Sequence, residues 1–300
     1  MVRALLITNL VAARTTPSAV YAVSGLLRYS GWSVEVAETR GPGDARRLAE
    51  SAVSDRFDVV IVFGGDGTTM QAAAALVGTD VALGVIPGGT GNLLAGNLRI
   101  PASPVRAAEA LAHGRRRRLD LGRVERPEGT QYFAVACGAG MDARVMAQTS
   151  SDQKRKWGIG AYVATVLRLI PEVRRVPHTI TIDGVTIDTG ATVVLVANCR
   201  EVIPPIVRLH QDISPEDGWL DVVIAGAGNL WESARTMYQF MREIPDASDG
   251  PRHLWYARGR EITVTSDPQQ PLEIDGESGW TTPFTASVVP AAIDVMVPTG

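Results

Sequence analysis

The spacing of apolar positions changes partway along the chain. In the first third, short runs of aliphatic and β-branched residues alternate with stretches whose apolar positions recur every three or four residues. The runs Arg3–Thr8, Ser33–Val36, Asp58–Phe63 and Val81–Ile86 read as strands. Between them, Ser18–Tyr29 behind Pro17, Asp44–Ser54 capped by Asp44, and the alanine-rich Thr68–Leu76 read as helices. A further helix is expected near Val105–His113. Strand and helix in strict alternation predict a parallel sheet with helices on both faces. Ligands of such sheets sit at the carboxyl ends of the strands.

Beyond the run Arg115–Arg118 the pattern shortens. Gln131–Cys137, Thr179–Ile182, Val185–Ile187, Thr192–Asn198, Leu220–Ala225, Glu261–Thr265, Pro271–Ile274 and Thr285–Val289 read as strands separated by turn residues. Asp183-Gly184 between two alternating runs is a hairpin signal. The clearest helix of this half is Leu230–Met241, with Leu230, Ala234, Met237, Tyr238 and Met241 on one face. A mostly antiparallel sandwich or half-barrel is expected here, with a boundary near residues 119–123. The fold class is thus α/β plus β: a doubly wound parallel-sheet domain followed by an antiparallel β domain.

Composition narrows what such a molecule can do. The chain has 300 residues, 45% of them hydrophobic and 20% charged, enough to bury two sizeable cores. A net charge of −3 argues against bulk nucleic-acid binding. Lysine occurs only at Lys154 and Lys156, neither after a glycine, so a Walker A loop and a protein kinase's strand lysine are both absent. There is no G-x-S-x-G elbow, and His113, His178, His210 and His253 lack metal-ligand spacing. Cys137 and Cys199 stand alone in apolar runs, as buried thiols of a cytosolic protein would. The opening run Met1–Ile7 has some signal-peptide character, but Asn9 interrupts it and a first buried strand explains it better.

Chemistry concentrates where the strands end. Val59–Phe63 runs into Gly64-Gly65-Asp66-Gly67-Thr68, and the next strand ends in Pro87-Gly88-Gly89-Thr90-Gly91-Asn92. Glycines after a buried strand bring backbone N–H groups close to an anion, and two such turns could grip a triphosphate from both sides. The alternative for the first turn is a tight strand–helix corner with Asp66 as helix cap. Gly138-Ala139-Gly140-Met141-Asp142-Ala143 fits a dinucleotide fingerprint but lacks a carboxylate at the required distance, so a tight turn is the better reading. Asp212, Glu216, Asp217 and Asp221 surround Gly218 in an oxygen-rich loop suited to a hard cation or to solvent. Asp275-Gly276-Glu277 follows a strand, where a carboxylate could reach into a cleft, although in isolation such a segment is more often a turn.

Taken together, five motifs in this order resemble the diacylglycerol kinase catalytic-domain family, bacterial soluble lipid kinases related to sphingosine kinases. They are Gly64–Thr68, Gly89-Thr90-Gly91-Asn92 after Pro87, Gly138–Ala143, Asp217-Gly218-x-Leu220-Asp221 and Asp275-Gly276-Glu277. The resemblance covers nearly the whole chain. It implies an ATP-binding domain of residues 1–121 plus 287–300, completed by Ile293–Val297, and a lipid-substrate domain of residues 122–286. It implies ATP at Asn9, Thr39, Gly64, Gly65, Asp66, Gly67, Thr68, Gly89, Thr90, Gly91 and Asn92. Glu277 would be the general base and Asp66 would stand at the phosphates or their Mg²⁺. Asp217 would anchor a structural Mg²⁺ with nearby carbonyls, that of Leu220 among them. The reaction implied is γ-phosphoryl transfer from ATP to a lipid hydroxyl, first of all that of diacylglycerol. A sphingoid base, phosphatidylglycerol or a polyprenol are alternative acceptors; an NAD kinase and a non-catalytic relative are alternative functions. A cytoplasmic protein peripherally bound to a membrane surface follows, with no nucleic-acid partner and room for a homodimer. Arg115–Arg118 and Lys154-Arg155-Lys156-Trp157 are the candidate lipid contacts, with a plain solvated surface the slightly better reading of the arginine run. The chain departs from the family pattern at Met70-Gln71, where Asn-Glu is common, and at Leu93, where Asp is common.

Overall fold

Helices and parallel strands alternate through the first part of the chain. The computed structural model describes residues 1–127, 129–140, 175–203, 207–209, 212–226 and 254–299. The helix expected at Leu230–Met241, the Lys154–Trp157 cluster and Asp142 lie outside them. The elements run β1 (Arg3–Thr8), α1 (Pro17–Tyr29), β2 (Ser33–Glu38), α2 (Asp44–Ser54), β3 (Val59–Gly64), α3 (Asp66–Leu76), β4 (Ala82–Pro87), α4 (Leu93–Asn97), α5 (Pro104–Ala112). The chain divides into two compact units, Met1–Leu119 with Ala291–Gly300, and Asp120–Pro290.

In the first unit the strands pair in parallel in the order β2-β1-β3-β4. Every residue of β3 and β4 is buried, which is why both read as unbroken apolar runs. Strand β2 is two residues longer than its apolar pattern, because its ladder with β1 continues through Ala37 and Glu38. Helix α1 starts where the Thr16 hydroxyl accepts from the Ala19 amide at 3.2 Å and Pro17 takes the first helical position. Helix α2 corrects an expectation. Asp44 lies inside the first turn and accepts from the Arg40 amide at 2.7 Å, while left-handed Gly43 (φ 83°) makes the cap. In α3 the buried face is Thr68, Thr69, Ala72, Ala73 and Leu76; the small residues let the helix approach the sheet closely.

The remaining strands are β5 (Arg115–Arg126), β6 (Gly129–Phe133), β7 (Ala136–Gly140), β8 (Val176–Ile182), β9 (Val185–Ala191), β10 (Val193–Ala197), β11 (Glu201–Ile203), β12 (Val207–Arg208), β13 (Leu220–Ala225), β14 (Leu254–Gly259), β15 (Glu261–Ser266), β16 (Pro271–Ile274), β17 (Glu277–Thr281) and β18 (Phe284–Val297). In the second unit β18, β15, β8 and β9 form one antiparallel ladder, and β14-β13-β10-β7-β16-β17 form a six-stranded antiparallel sheet. Their inward residues make one core, including Phe133, Ile180, Val194, Val196, Val222, Ile262, Val264, Leu272 and Phe284. The second unit is therefore an antiparallel β-sandwich. The far end of β18 returns to the first unit, where Val295 pairs in parallel with Leu83 of β4.

Two local readings change. Gly138 and Gly140 belong to strand β7 rather than to a turn, and Gly138 is paired on both sides, with Leu195 and with Glu273. The arginine run begins β5. Arg116 donates to the Asp58 and Asp80 carbonyls at 3.0 and 2.9 Å, and Arg118 pairs with Asp294 at 3.1 Å.

Candidate functional site

The first unit gathers most of the expected nucleotide residues at the carboxyl ends of β1, β2, β3 and β4. Helix α3 begins directly after β3, so the amides of Gly67 and Thr68 have no carbonyl partner within the helix and are available to an anion. The Asn9 amide nitrogen donates to the Thr68 hydroxyl at 2.9 Å, and its backbone N–H donates to the Phe63 carbonyl at 3.1 Å, fixing the β1 loop against this corner. Thr39, just past β2, donates from both backbone and hydroxyl to the Thr8 carbonyl at 2.9 and 3.3 Å. The two glycine turns touch. A Cβ on Gly89 would stand 2.7 Å from the Gly65 Cα, so only glycine allows this approach. The Gly88 amide donates to the Gly64 carbonyl at 2.8 Å.

Asp66 is what joins them. Its two carboxylate oxygens accept from the amides of Asn92 and Leu93, each at 2.7 Å. The aspartate of the first turn thus organises the second, and its charge is held beside the cradle rather than spent on a cap of its own helix. Asn92, left-handed at φ 50°, accepts from the Gly89 amide at 3.0 Å and donates to the Gly89 carbonyl at 2.8 Å, closing Gly89–Asn92 into a ring. Thr90 and Gly91 lie exposed at its rim. Two of the residues that depart from the family pattern have local roles. Leu93 contributes only its backbone N–H to Asp66, and the Gln71 side chain accepts from the Gly43 amide at 3.0 Å, tying α3 to the loop before α2. The buried Thr15 hydroxyl, packed at Gly88, has no hydrogen-bond partner among the described residues. A cradle that a Cβ would fill, lined by helix-start amides and an orphaned hydroxyl, fits a polyphosphate.

In the second unit Glu277 starts β17, directly after the turn Asp275-Gly276, whose φ angles of 47° and 84° make a two-residue hairpin. The buried Asp275 carboxylate accepts three successive amides, Ala134 at 2.6 Å, Val135 at 2.9 Å and Ala136 at 3.0 Å. Glu273 accepts from the Gly276 amide on the other side. Asp275 is therefore a positioning residue for the turn that presents Glu277. Glu277 itself is exposed, yet the protein around it removes enough hydration to raise its pKa above the ordinary glutamate value.

Asp217 and Leu220 lie elsewhere in this unit. Asp217 pairs with Arg258 at 2.7 Å and accepts from the Trp219 amide at 3.1 Å; Leu220 faces Gly259 across the β13–β14 ladder and its side chain is fully buried. Among the described residues no group of three or more His, Cys, Asp or Glu side chains could hold a metal ion.

Sequence reasoning missed the residues that connect these pieces. Asp120 accepts from the Gly218 amide at 2.7 Å, the Asn198 side chain donates to the Asp120 and Ala134 carbonyls at 3.0 and 2.9 Å, and Ala134 leads to Asp275. Asp120 carried a signal, an acid between Leu119 and Leu121 in an apolar strand. Arg258 carried none. Of the expected lipid contacts, Arg116 and Arg118 are engaged within the first unit, and among the described residues no helix is long and apolar enough to cross a membrane.

Comparison with known proteins matches this arrangement along its length. Residues 3–124 match the family described as diacylglycerol kinase catalytic domain, and residues 135–297 match the YegS C-terminal NAD kinase beta sandwich-like domain. The diacylglycerol kinase of Bacillus subtilis is 29% identical over 259 residues, covering 85% of this chain and 82% of that protein. That of Mycobacterium tuberculosis is 29% identical over 293 residues, covering 94% and 91%. A crystal structure of a diacylglycerol kinase from Bacillus anthracis has a TM-score of 0.77 at 20% identity, covering 99% of this chain and 97% of that one. At that identity the structural likeness speaks for the fold.

Proposed function

We propose an activity on the premise that the chain belongs to the diacylglycerol kinase catalytic-domain family, with the YegS-type β-sandwich as its second domain. The activity is transfer of the γ-phosphoryl group of ATP to a lipid hydroxyl, with diacylglycerol as acceptor and phosphatidic acid as product. The observation that carries this reading is the doubled glycine cradle locked by Asp66, because one carboxylate bonded to Asn92 and Leu93 converts two turns into one anion site. Diacylglycerol is favoured among lipid alcohols by the names of the relatives in Bacillus subtilis and Mycobacterium tuberculosis.

In this reading Gly64–Thr68 and Gly89–Asn92 hold the phosphates through backbone N–H groups, and Asn9 and Thr39 fix the loops beside them. Mg²⁺ arriving with the nucleotide supplies charge neutralisation at the transferring phosphoryl group. Glu277 takes the proton of the attacking lipid hydroxyl, the new O–P bond forms, and ADP leaves. A raised pKa makes Glu277 a stronger base than an ordinary glutamate. The lipid is met at a membrane surface by a peripherally bound protein.

Incubation of the purified chain with radiolabelled ATP and, separately, diacylglycerol, sphingosine, phosphatidylglycerol, a polyprenol and NAD tests the reading. Labelled phosphatidic acid supports it. Label in NAD alone, or in none of the acceptors, overturns it.

A further inference from the structure

The acidic loop of the second unit already contains a cation, and it is a side chain. Asp217, the residue that the family resemblance gives to a structural Mg²⁺, spends Oδ2 on the Arg258 guanidinium at 2.7 Å and Oδ1 on the Trp219 amide at 3.1 Å. The same guanidinium donates through Nε to Asp221 Oδ1 at 3.0 Å and through Nη2 to the Asp212 carbonyl at 3.2 Å. Asp221 is fully buried and also accepts from the Tyr256 hydroxyl. Two carboxylates and a backbone carbonyl are the oxygen set that a hard cation would recruit. Here they converge on a planar fork, whose several donors suit more than one carboxylate at once. A divalent ion among the same oxygens would lie against the guanidinium's own positive charge and would have to displace it. The residues present do not fit a structural Mg²⁺.

We propose that Arg258 is the resident cation of this loop: its guanidinium ties Asp217, Asp221 and the Asp212 carbonyl together, so that the second unit is held without a bound metal. If the kinase reading above is right, the divalent requirement of the reaction then belongs to the nucleotide alone. The clamp spans three segments, namely the loop of residues 212–218, β13 through Asp221, and β14 through Arg258. Burial works against it. It pulls the pKa of Asp221 up despite the guanidinium, and together with the Asp221 hydrogen bond it raises that of Tyr256. A buried carboxylate in such surroundings needs a permanent partner, and arginine stays charged at every physiological pH.

Thermal unfolding of the full chain without nucleotide tests the proposal independently of any kinase activity. The wild-type midpoint should be the same in EDTA and in millimolar Mg²⁺. A midpoint that falls in EDTA and recovers saturably with Mg²⁺ would overturn the assignment. Arg258→Gln should lower the midpoint by several degrees in both conditions, because two carboxylates lose their common partner. Arg258→Lys should recover part of that loss, since an ammonium neutralises one carboxylate well but cannot bridge two. An Arg258→Gln protein that melts like wild type would also sink the proposal. Should the glutamine variant fail to fold, the metal titration of the wild type and the lysine variant still decide.

Discussion

Two hairpins in the second unit are built alike and differ in what they carry. Asp183-Gly184 joins β8 to β9 and Asp275-Gly276 joins β16 to β17, with φ pairs of 47° and 85° against 47° and 84°. Each aspartate also turns its carboxylate on a neighbouring backbone. Asp183 accepts from the Arg260 and Glu261 amides at the exposed end of its ladder. Asp275 accepts from Ala134, Val135 and Ala136 in the interior. The residue after the first turn is the exposed Val185, and after the second it is Glu277. The same local chemistry thus serves as a surface staple in one place and as a fixed mount in the other. What separates them is burial and connection. Among the described residues, only the second turn is wired, through Ala134, Asn198 and Asp120, to the loop that holds Gly218.

The comparison can be broken most sharply at the residue each turn presents. Glu277→Gln should lower kcat on the order of 10³-fold while nucleotide binding measured by fluorescence titration stays near wild type, whereas Val185→Thr should leave kcat unchanged. Next come the aspartates. Asp275→Asn keeps the shape but weakens three charged hydrogen bonds, and should cost roughly 10- to 100-fold in kcat with about 2 kcal/mol of stability by urea unfolding. Asp183→Asn should cost about 1 kcal/mol and no activity. Equal kcat losses in both would refute a special role for the second turn. Ala at either glycine must adopt φ near +85°, so Gly184→Ala and Gly276→Ala should each destabilise by about 1 kcal/mol, and only the latter should lower kcat.

Two pH effects refine the same contrast. As the proposed base, Glu277 would act only when ionised, and its pKa is raised, so the acidic limb of kcat/KM against pH should lie above the ordinary glutamate value of about 4.3. The same shift means that the folded protein disfavours the carboxylate, so Glu277→Gln should melt slightly higher than wild type at neutral pH while being inactive. Buried His178, on the strand feeding the first hairpin, has its pKa lowered by desolvation and its Nε2 unpartnered among the described residues. Its stability contribution is complete above the unfolded value of about 6.5 and is lost as pH falls through the folded one. Mild acid should therefore cost the wild type stability that a His178→Leu variant does not lose.

Much of this architecture was legible because the signals are local. Buried parallel strands announce themselves as apolar runs, and the Asp183-Gly184 hairpin is read from two residues. The glycine turns could be found for the same reason. What could not be read is the partner of each side chain. That Asp66 would reach across to Asn92 and Leu93 follows from β3 and β4 lying side by side, a fact of pairing rather than of either segment. Arg258 stands some forty residues from Asp217 in a strand that reads as ordinary, and only the β13–β14 ladder brings them together. Arg116 and Arg118 read as a basic surface patch until Asp294, from the far end of the chain, is seen to neutralise them.

That far end has a consequence for how the molecule is made. The parallel sheet of the first unit takes its last strand from Ala291–Val297, which a ribosome releases only after the entire sandwich has been synthesised. Until then β4, buried along its whole length in the finished protein, keeps an unpaired flank. Such a flank invites pairing with other chains. The nascent first unit therefore carries that open flank throughout translation of some 170 further residues, and a chain stopped at Pro290 should be recovered in aggregates.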